Sequence, residues 1–369
     1  VERLKQNKYL RSLAIFLAVY FFLVSIRLMG GGFKNMGKGF SEGLITSTSN
    51  PLVGLFIGIL ATSVIQSSSA TTSIVVALVA AAPAFLPSGI PIIIGATIGT
   101  SVTNIIVSLG HMYRKSEFSK AFGGAVVFDF FNVLTLVVLF PVELITRRVF
   151  GVGLIEWIAS GMADLLGGSS GFEYLSPIKV ITAPLVDLVL DAVSPNYWLA
   201  VLIAFAVLFM SLKILVDSLK WLAETRVQKV FDKYLFGTAA VSFLFGIALT
   251  ALVQSSSITT SFVVPLVGGG ILTVEQIFPF VVGANIGTTV TALLAALATA
   301  SKPAVTIALA HLTFNILGVA LIYPFKKLPI TMAKKFAVFS AEHRKFTIIY
   351  ILVFFYGIPG LIIFVSKVI

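Results

Sequence analysis

The chain holds 369 residues, 58% of them hydrophobic and only 11% charged, with a formal net charge of +11 and no cysteine. A soluble domain carries about a quarter charged residues, so the composition excludes a water-soluble globule and leaves an integral membrane protein. The absence of cysteine excludes a disulfide framework and a thiolate metal site.

Its apolar runs are long and do not alternate, which favours helices over an outer-membrane barrel. Basic residues gather at segment ends, as in Arg3/Lys5/Lys8/Arg11 and Lys326/Lys327/Lys334/Lys335. That is the cytoplasmic-loop bias of membrane proteins, and no nucleic-acid partner is expected.

In chain order, residues 1–9 read as a cytoplasmic segment. Tyr9 to Met29 is a span-length apolar run without a small-residue cleavage pattern, so it reads as a first transmembrane helix and not a signal peptide. It opens a first repeat, 10–146. Next, Leu52–Ile65 and Ile74–Ala82 flank the polar octet Gln66-Ser67-Ser68-Ser69-Ala70-Thr71-Thr72-Ser73. A helix needs about 20 residues to cross the hydrocarbon, so these short pieces predict a re-entrant helical hairpin over 50–82. The stretch 90–110 reads as a broken helix. Its Gly95-Ala96-Thr97-Ile98-Gly99-Thr100-Ser101-Val102-Thr103 segment predicts an unwound stretch. A further span carries Asp129, the one carboxylate read as deep within an apolar run. The acidic linker 147–196 is placed outside, with Glu156, Asp164, Asp187 and Asp191 on solvated faces.

The pattern then returns in a second repeat, 197–325. Its hairpin over 238–270 carries Gln254-Ser255-Ser256-Ser257-Ile258-Thr259-Thr260-Ser261, and its broken helix covers 275–300. Residues 326–369 read as a cytoplasmic connector and a C-terminal transmembrane helix. A constant spacing of 188 residues relates the octets, Gly58 to Gly246, Pro91 to Pro279 and Thr103 to Thr291, and 22 of 50 aligned positions are identical. The duplication implies an all-α protein of two repeats. Charge placement inverts one repeat against the other, with about seven crossings, two hairpins and the C-terminus outside. Arg27, Lys34 and Lys38 fall on the assigned outer side, against that rule.

No Asp, Glu, Lys, Arg or His lies between Glu42 and His111, and only Glu275 lies between Lys233 and Lys302. Whatever binds at the octets is therefore held by neutral side chains and backbone dipoles. Half-helix N-termini suit an oxyanion, and the hydroxyls of Ser67–Ser69 and Ser255–Ser257 can donate to one. Unwound carbonyls with Thr, Ser, Asn and Gln oxygens suit a small hard cation. Together they favour cation-coupled anion uptake. An isolated Ser or Thr in a membrane helix usually serves packing; two matching octets argue for binding. Asp129 is expected to favour a coupling cation, and His311 reads as a packed histidine. No Walker A loop, metal cluster or catalytic arrangement is specified. Neither enzyme activity nor a cofactor is expected, and an ion gradient is the energy source.

Two QSSS octets, each followed by G-x-x-I-G-T-[ST]-V-T, with DFFN after the first and HLTFN after the second, resemble the type II sodium–phosphate cotransporter family. The resemblance covers residues 10–368 and points to a bacterial-type member in the plasma (inner) membrane. It implies electrogenic, sodium-driven import of inorganic phosphate by alternating access where inverted repeats meet. Sodium, phosphate and the lipid bilayer would be the partners, and a homodimer is left open. By motif, Ser67, Ser68, Ser69, Ser255, Ser256 and Ser257 would surround phosphate, with Gln66 and Gln254. Those glutamines would also brace the tips or, with Ser255, give oxygens to sodium. Thr62, Thr250, Thr259, Thr260, Asn132, Asn315 and Asp129 would join the sodium side. The family often reads HDFFN where this chain has Phe128, so any role of that histidine is absent. The competing readings are another oxyanion, proton coupling, a passive anion channel, and a membrane scaffold or receptor.

Overall fold

Hydrocarbon offers no water to satisfy backbone N–H and C=O groups, so a spanning chain must close its hydrogen bonds internally. The computed structural model describes residues 8–167, 177–235 and 237–368, and it is helical throughout, with no strand among them. Among the described residues, seven helices are long and apolar enough to cross a membrane: 12–35, 83–109, 115–150, 197–215, 274–299, 302–325 and 344–366. The chain is a multi-pass membrane protein. Arg3 and Lys5 of the N-terminal segment and Glu173 of the linker lie outside the described residues.

The first half comprises α1 (Lys8–Asn35), α2 (Lys38–Ser47), α3 (Pro51–Ile65), α4 (Ser68–Ala81), α5 (Leu86–Gly99), α6 (Ser101–Leu109) and α7 (Lys115–Phe150). α2 and α3 meet at 97°. The linker forms α8 (Leu154–Gly167) and α9 (Pro177–Val193). The second half runs through α10 (Tyr197–Leu235), α11 (Ala239–Val253), α12 (Ser256–Gly268), α13 (Val274–Thr299) and α14 (Lys302–Ile322). α15 (Lys327–Glu342), α16 (Arg344–Tyr350) and α17 (Ile358–Val368) complete it, a π-helix over Ile351–Gly357 joining the last two.

α3 with α4, and α11 with α12, form two short hairpins, the arms of each in contact across a two-residue break. Each starts at a capped helix. The Asn50 side chain accepts from the Leu52 amide at 2.9 Å, with Pro51 at the first helical position, and Thr238 caps α11. Both satisfy amides that have no partner within their own helix.

The glycines act differently from the unwound stretch that the sequence predicts. α13 is one continuous 26-residue helix, and the break between α5 and α6 is a single residue, Thr100, still in right-handed helical conformation. What the glycines supply is close approach. A Cβ on Gly58 would collide with the Ile92 carbonyl, and one on Gly95 with the Leu55 carbonyl. The second half repeats this, Gly246 facing the Phe280 carbonyl and Gly283 the Phe243 carbonyl. Gly99 and Gly287 press on Thr62 and Thr250 in the same way. Each hairpin's first arm thus packs backbone to backbone on the helix that comes after the hairpin, as small residues allow between membrane helices.

Two expectations about charge also change. Asp129 is not the only buried carboxylate in α7: Glu143 is 1% exposed, accepts from the Ile155 amide at 2.7 Å and pairs with Arg147 at 2.9 Å. Glu156 is not on a solvated face but pairs with the same Arg147 at 2.8 Å. Burial pushes its carboxyl above the ordinary range, and Arg147 partly opposes that. Arg27, which breaks the charge rule on the assigned outer side, donates to the Thr182 hydroxyl at 2.7 Å and so holds α1 to the linker helix α9.

Candidate functional site

The two hairpin tips have the same backbone. α3 ends at Gln66 with φ 59° and ψ 27°, and α11 ends at Gln254 with φ 57° and ψ 24°. The next residues, Ser67 and Ser255, are extended at φ −151° and −152°. Left-handed conformation is usually left to glycine, because Cβ crowds the following carbonyl at about 1–2 kcal/mol. Among the described residues only Gln66, Gln254 and Ala300 are non-glycine residues at positive φ. Two of these three sit at matching tips, and such outliers persist where surroundings over-determine them.

The glutamine side chains show what does so. The Gln66 amide nitrogen donates to the Ser63 carbonyl of its own helix, and its oxygen accepts from the Thr103 hydroxyl at 2.8 Å. Gln254 does the same with the Ala251 carbonyl and with Thr291 at 2.7 Å. Each glutamine therefore bolts its tip to the neighbouring helix. Thr103 and Thr291 were not assigned a role from sequence, although both stand 37 residues after their glutamine, which is the signal that could have found them.

The serines divide by role. Ser67 and Ser255 turn back as N-caps, accepting from the Ala70 amide at 3.2 Å and the Ile258 amide at 3.4 Å. Ser68, Ser69, Ser256 and Ser257 occupy the first turns of α4 and α12, where helix amides lack intrahelical partners, and all four are at least 95% buried. The tips touch: the Ser69 hydroxyl donates to the Gln254 carbonyl at 3.0 Å.

Further polar contacts join the halves. Thr260 Oγ1 lies 2.9 Å from Asn104 Oδ1 and 2.7 Å from the Ser256 carbonyl. Asn285 donates to Asn132 at 2.6 Å, and Asn315 donates to the Asn285 carbonyl at 3.4 Å. His311 packs 3.2 Å from the Thr97 hydroxyl. Of the expected sodium-side residues, Asn132 and Asn315 are thus drawn together through Asn285. Thr62 donates to Thr71 at 3.0 Å and Thr259 to the Ser255 carbonyl at 3.0 Å. Several buried oxygens have no hydrogen-bond partner: Thr250 Oγ1, Asn315 Oδ1, Ser101 Oγ and Asp129 Oδ1. Asp129 has no bond to either tip; its other carboxylate oxygen accepts from the Tyr350 hydroxyl. Asn104 and Tyr350 were both missed from sequence. Tyr350 has no counterpart in the repeat and gave no signal.

Buried first-turn amides, hydroxyls and partnerless oxygens thus gather where the two halves meet, and no Lys or Arg is among them. Together they can donate hydrogen bonds to an anion and offer oxygens to a cation. Buried polar oxygens normally find partners, so the partnerless ones are consistent with a ligand that fills them.

A family described as "Na+/Pi-cotransporter" matches residues 21–163 and 207–341. The chain is 33% identical over 442 residues to sodium-dependent phosphate transport protein 2B of Pongo abelii, covering 92% of this chain and 63% of that protein. The human protein 2B gives the same identity and coverage. Sodium-dependent phosphate transport protein 2A of Ovis aries is 32% identical over 422 residues, covering 93% of this chain and 66% of its own length. The chain thus spans slightly less than two thirds of the relatives it matches. No solved structure matches it. Matched over most of its length, in two stretches that take in both serine tips, the chain belongs to the Na+/Pi-cotransporter family.

Proposed function

We propose that this protein imports inorganic phosphate across the plasma membrane together with sodium, and that phosphate sits between the two hairpin tips. The observation that carries this reading is the tip itself. Two identical left-handed Gln–extended Ser turns present two helix N-termini to one place, and the tips touch through Ser69 and Gln254. Each helix N-terminus is equivalent to roughly half a positive charge. Two of them offset about one charge of a phosphate, and no Lys, Arg or His is near in sequence to offset the rest. Buried charge without compensation is prohibitively costly. Sodium supplies the missing positive charge, which makes the cation a condition of anion binding and couples the two.

In this reading Ser68, Ser256 and Ser257 donate to phosphate from the first turns, Ser69 does so through its backbone amide because its hydroxyl holds the Gln254 carbonyl, and Ser67 and Ser255 hold those turns in shape. Gln66 and Gln254 brace the tips. Asp129, Asn132, Asn315, Thr62, Thr250, Thr259 and Thr260 contribute oxygens on the sodium side. The halves act as inverted repeats, access alternates between the two membrane faces, and the buried Asp129 carboxylate, which has no basic side chain paired with it, makes the cycle electrogenic. Purified protein in liposomes, given an inward sodium gradient and labelled phosphate, will accumulate phosphate above the outside concentration. Equilibration alone would indicate a channel, and accumulation unaffected by replacing sodium with choline would end the coupling claim. Labelled sulfate in the same assay tests the anion.

A further inference from the structure

The last span, residues 344–366, is the most lipid-facing of the seven, with 17% of its apolar window buried. A helix so peripheral would be expected to do little beyond packing. Yet among the described residues its two side-chain hydrogen bonds to the rest of the protein both reach the candidate site. Tyr350 donates to Asp129 Oδ2, and Tyr356 donates to the Ser63 carbonyl at 2.9 Å. That carbonyl also receives the Gln66 side chain that braces hairpin 1. The π-helix Ile351–Gly357 begins directly after Tyr350 and contains Tyr356. π turns are rare and concentrate at functional sites, and each residue they add rotates the downstream helix by about 100° relative to an uninterrupted α-helix.

The surroundings of Tyr350 fix its ring. It stacks on Phe354 at 5.4 Å between centroids and meets Phe336 edge-on at 5.1 Å. Its hydroxyl takes one carboxylate oxygen of Asp129 and leaves the other, Oδ1, buried and without a partner. The Ser101 hydroxyl neighbours that carboxylate, and it too is buried with no aligned hydrogen bond.

We propose that the C-terminal span is a strap: Tyr350 positions the Asp129 carboxylate so that its open edge and Ser101 receive a sodium ion, and Tyr356 ties that arrangement to hairpin 1. The proposal rests on the sodium-coupled reading above. Tyr350 is a positioning residue, acting through Asp129 and not on the ion. A carboxylate held by one oxygen keeps its other oxygen aimed, and side-chain freedom no longer has to be lost when the cation arrives.

The test is sodium-dependent thermal stabilisation of the purified full chain, titrated with sodium chloride against choline chloride. Tyr350→Phe keeps the ring and removes the donor. The sodium concentration giving half-maximal stabilisation is expected to rise at least fivefold, with the melting temperature in choline little changed. Tyr356→Phe is expected to raise it two- to threefold, and Leu361→Ala, on the lipid face, to leave it unchanged. In liposomes, the phosphate half-saturation of Tyr350→Phe at saturating sodium should move less than twofold. Wild-type sodium dependence in Tyr350→Phe overturns the strap. Should that variant fail to fold, Ser101→Ala decides, because the same edge predicts the same shift and an unchanged titration refutes it. A wild-type protein that responds to sodium in neither assay overturns the sodium reading itself, a different result from a responsive wild type with an indifferent Tyr350→Phe.

Discussion

Replacing Gln66 by alanine and, separately, by glycine distinguishes what its backbone and its side chain each contribute. Alanine keeps the left-handed conformation, with its cost, and removes both side-chain hydrogen bonds, to the Ser63 carbonyl and from Thr103. Each bond contributes about 1 kcal/mol, so Gln66→Ala should destabilise by about 2 kcal/mol. Glycine loses the same bonds but relieves a left-handed cost of about 1 kcal/mol, so Gln66→Gly should cost only about 1 kcal/mol. At roughly 2 °C per kcal/mol for a chain this long, melting should fall by about 4 °C for alanine and about 2 °C for glycine. The ordering is the diagnostic, since most positions rank glycine below alanine. Thermal melts of purified protein in nanodiscs measure it, and Gln254 should behave the same way. A glycine variant melting below the alanine variant, or an alanine variant melting like wild type, would refute the brace.

Gly58→Ala and Gly246→Ala drive a methyl into the Ile92 and Phe280 carbonyls and should each cost about 1–3 kcal/mol; Gly39→Ala, with open space around it, should melt as wild type does. Ser69→Ala removes the tip-to-tip hydrogen bond, and a loss of about 1 kcal/mol corresponds to about a fivefold change in phosphate half-saturation, read in liposome uptake. Asp129→Asn removes the charge while keeping the shape, and it should abolish most voltage dependence of uptake in liposomes clamped with potassium and valinomycin; unchanged voltage dependence excludes Asp129 from charge movement. Glu143→Gln loosens the ion pair with Arg147 and should lower the melting temperature without altering the sodium concentration at half-maximal uptake.

The helical, membrane-spanning character was legible because hydrocarbon leaves long apolar runs few alternatives. The position of each tip was also visible, since a polar octet between two arms too short to cross must turn somewhere near its glutamine. The conformation of that glutamine was not: left-handed backbone is ordinarily announced by glycine, and here a side chain clamped to Thr103 or Thr291 sustains it. The glycines were misread for a related reason. Gly95 and Gly283 resemble helix breakers in one dimension, and only the approach of the Leu55 and Phe243 carbonyls reveals that space was needed. Asn104 and Tyr350 escaped notice because their partners are 156 or more residues away, and no local pattern encodes a distant hydroxyl or carboxylate. Glu156 looked solvated because its pairing with Arg147 depends on a chain reversal at Gly151–Gly153.

The glycine seams have a mechanical corollary. Where carbonyls of one rod rest in the notches of another, sliding or peeling must break many contacts at once, so α3 and α5, and likewise α11 and α13, are each stiff two-rod units. A flap hinged at the base of α3 is therefore the wrong picture for uncovering the serines. If access alternates as proposed above, solvent would reach them when an entire two-rod unit tilts or translates against its counterpart, with the shear at the seam crossed by Ser69 and Gln254.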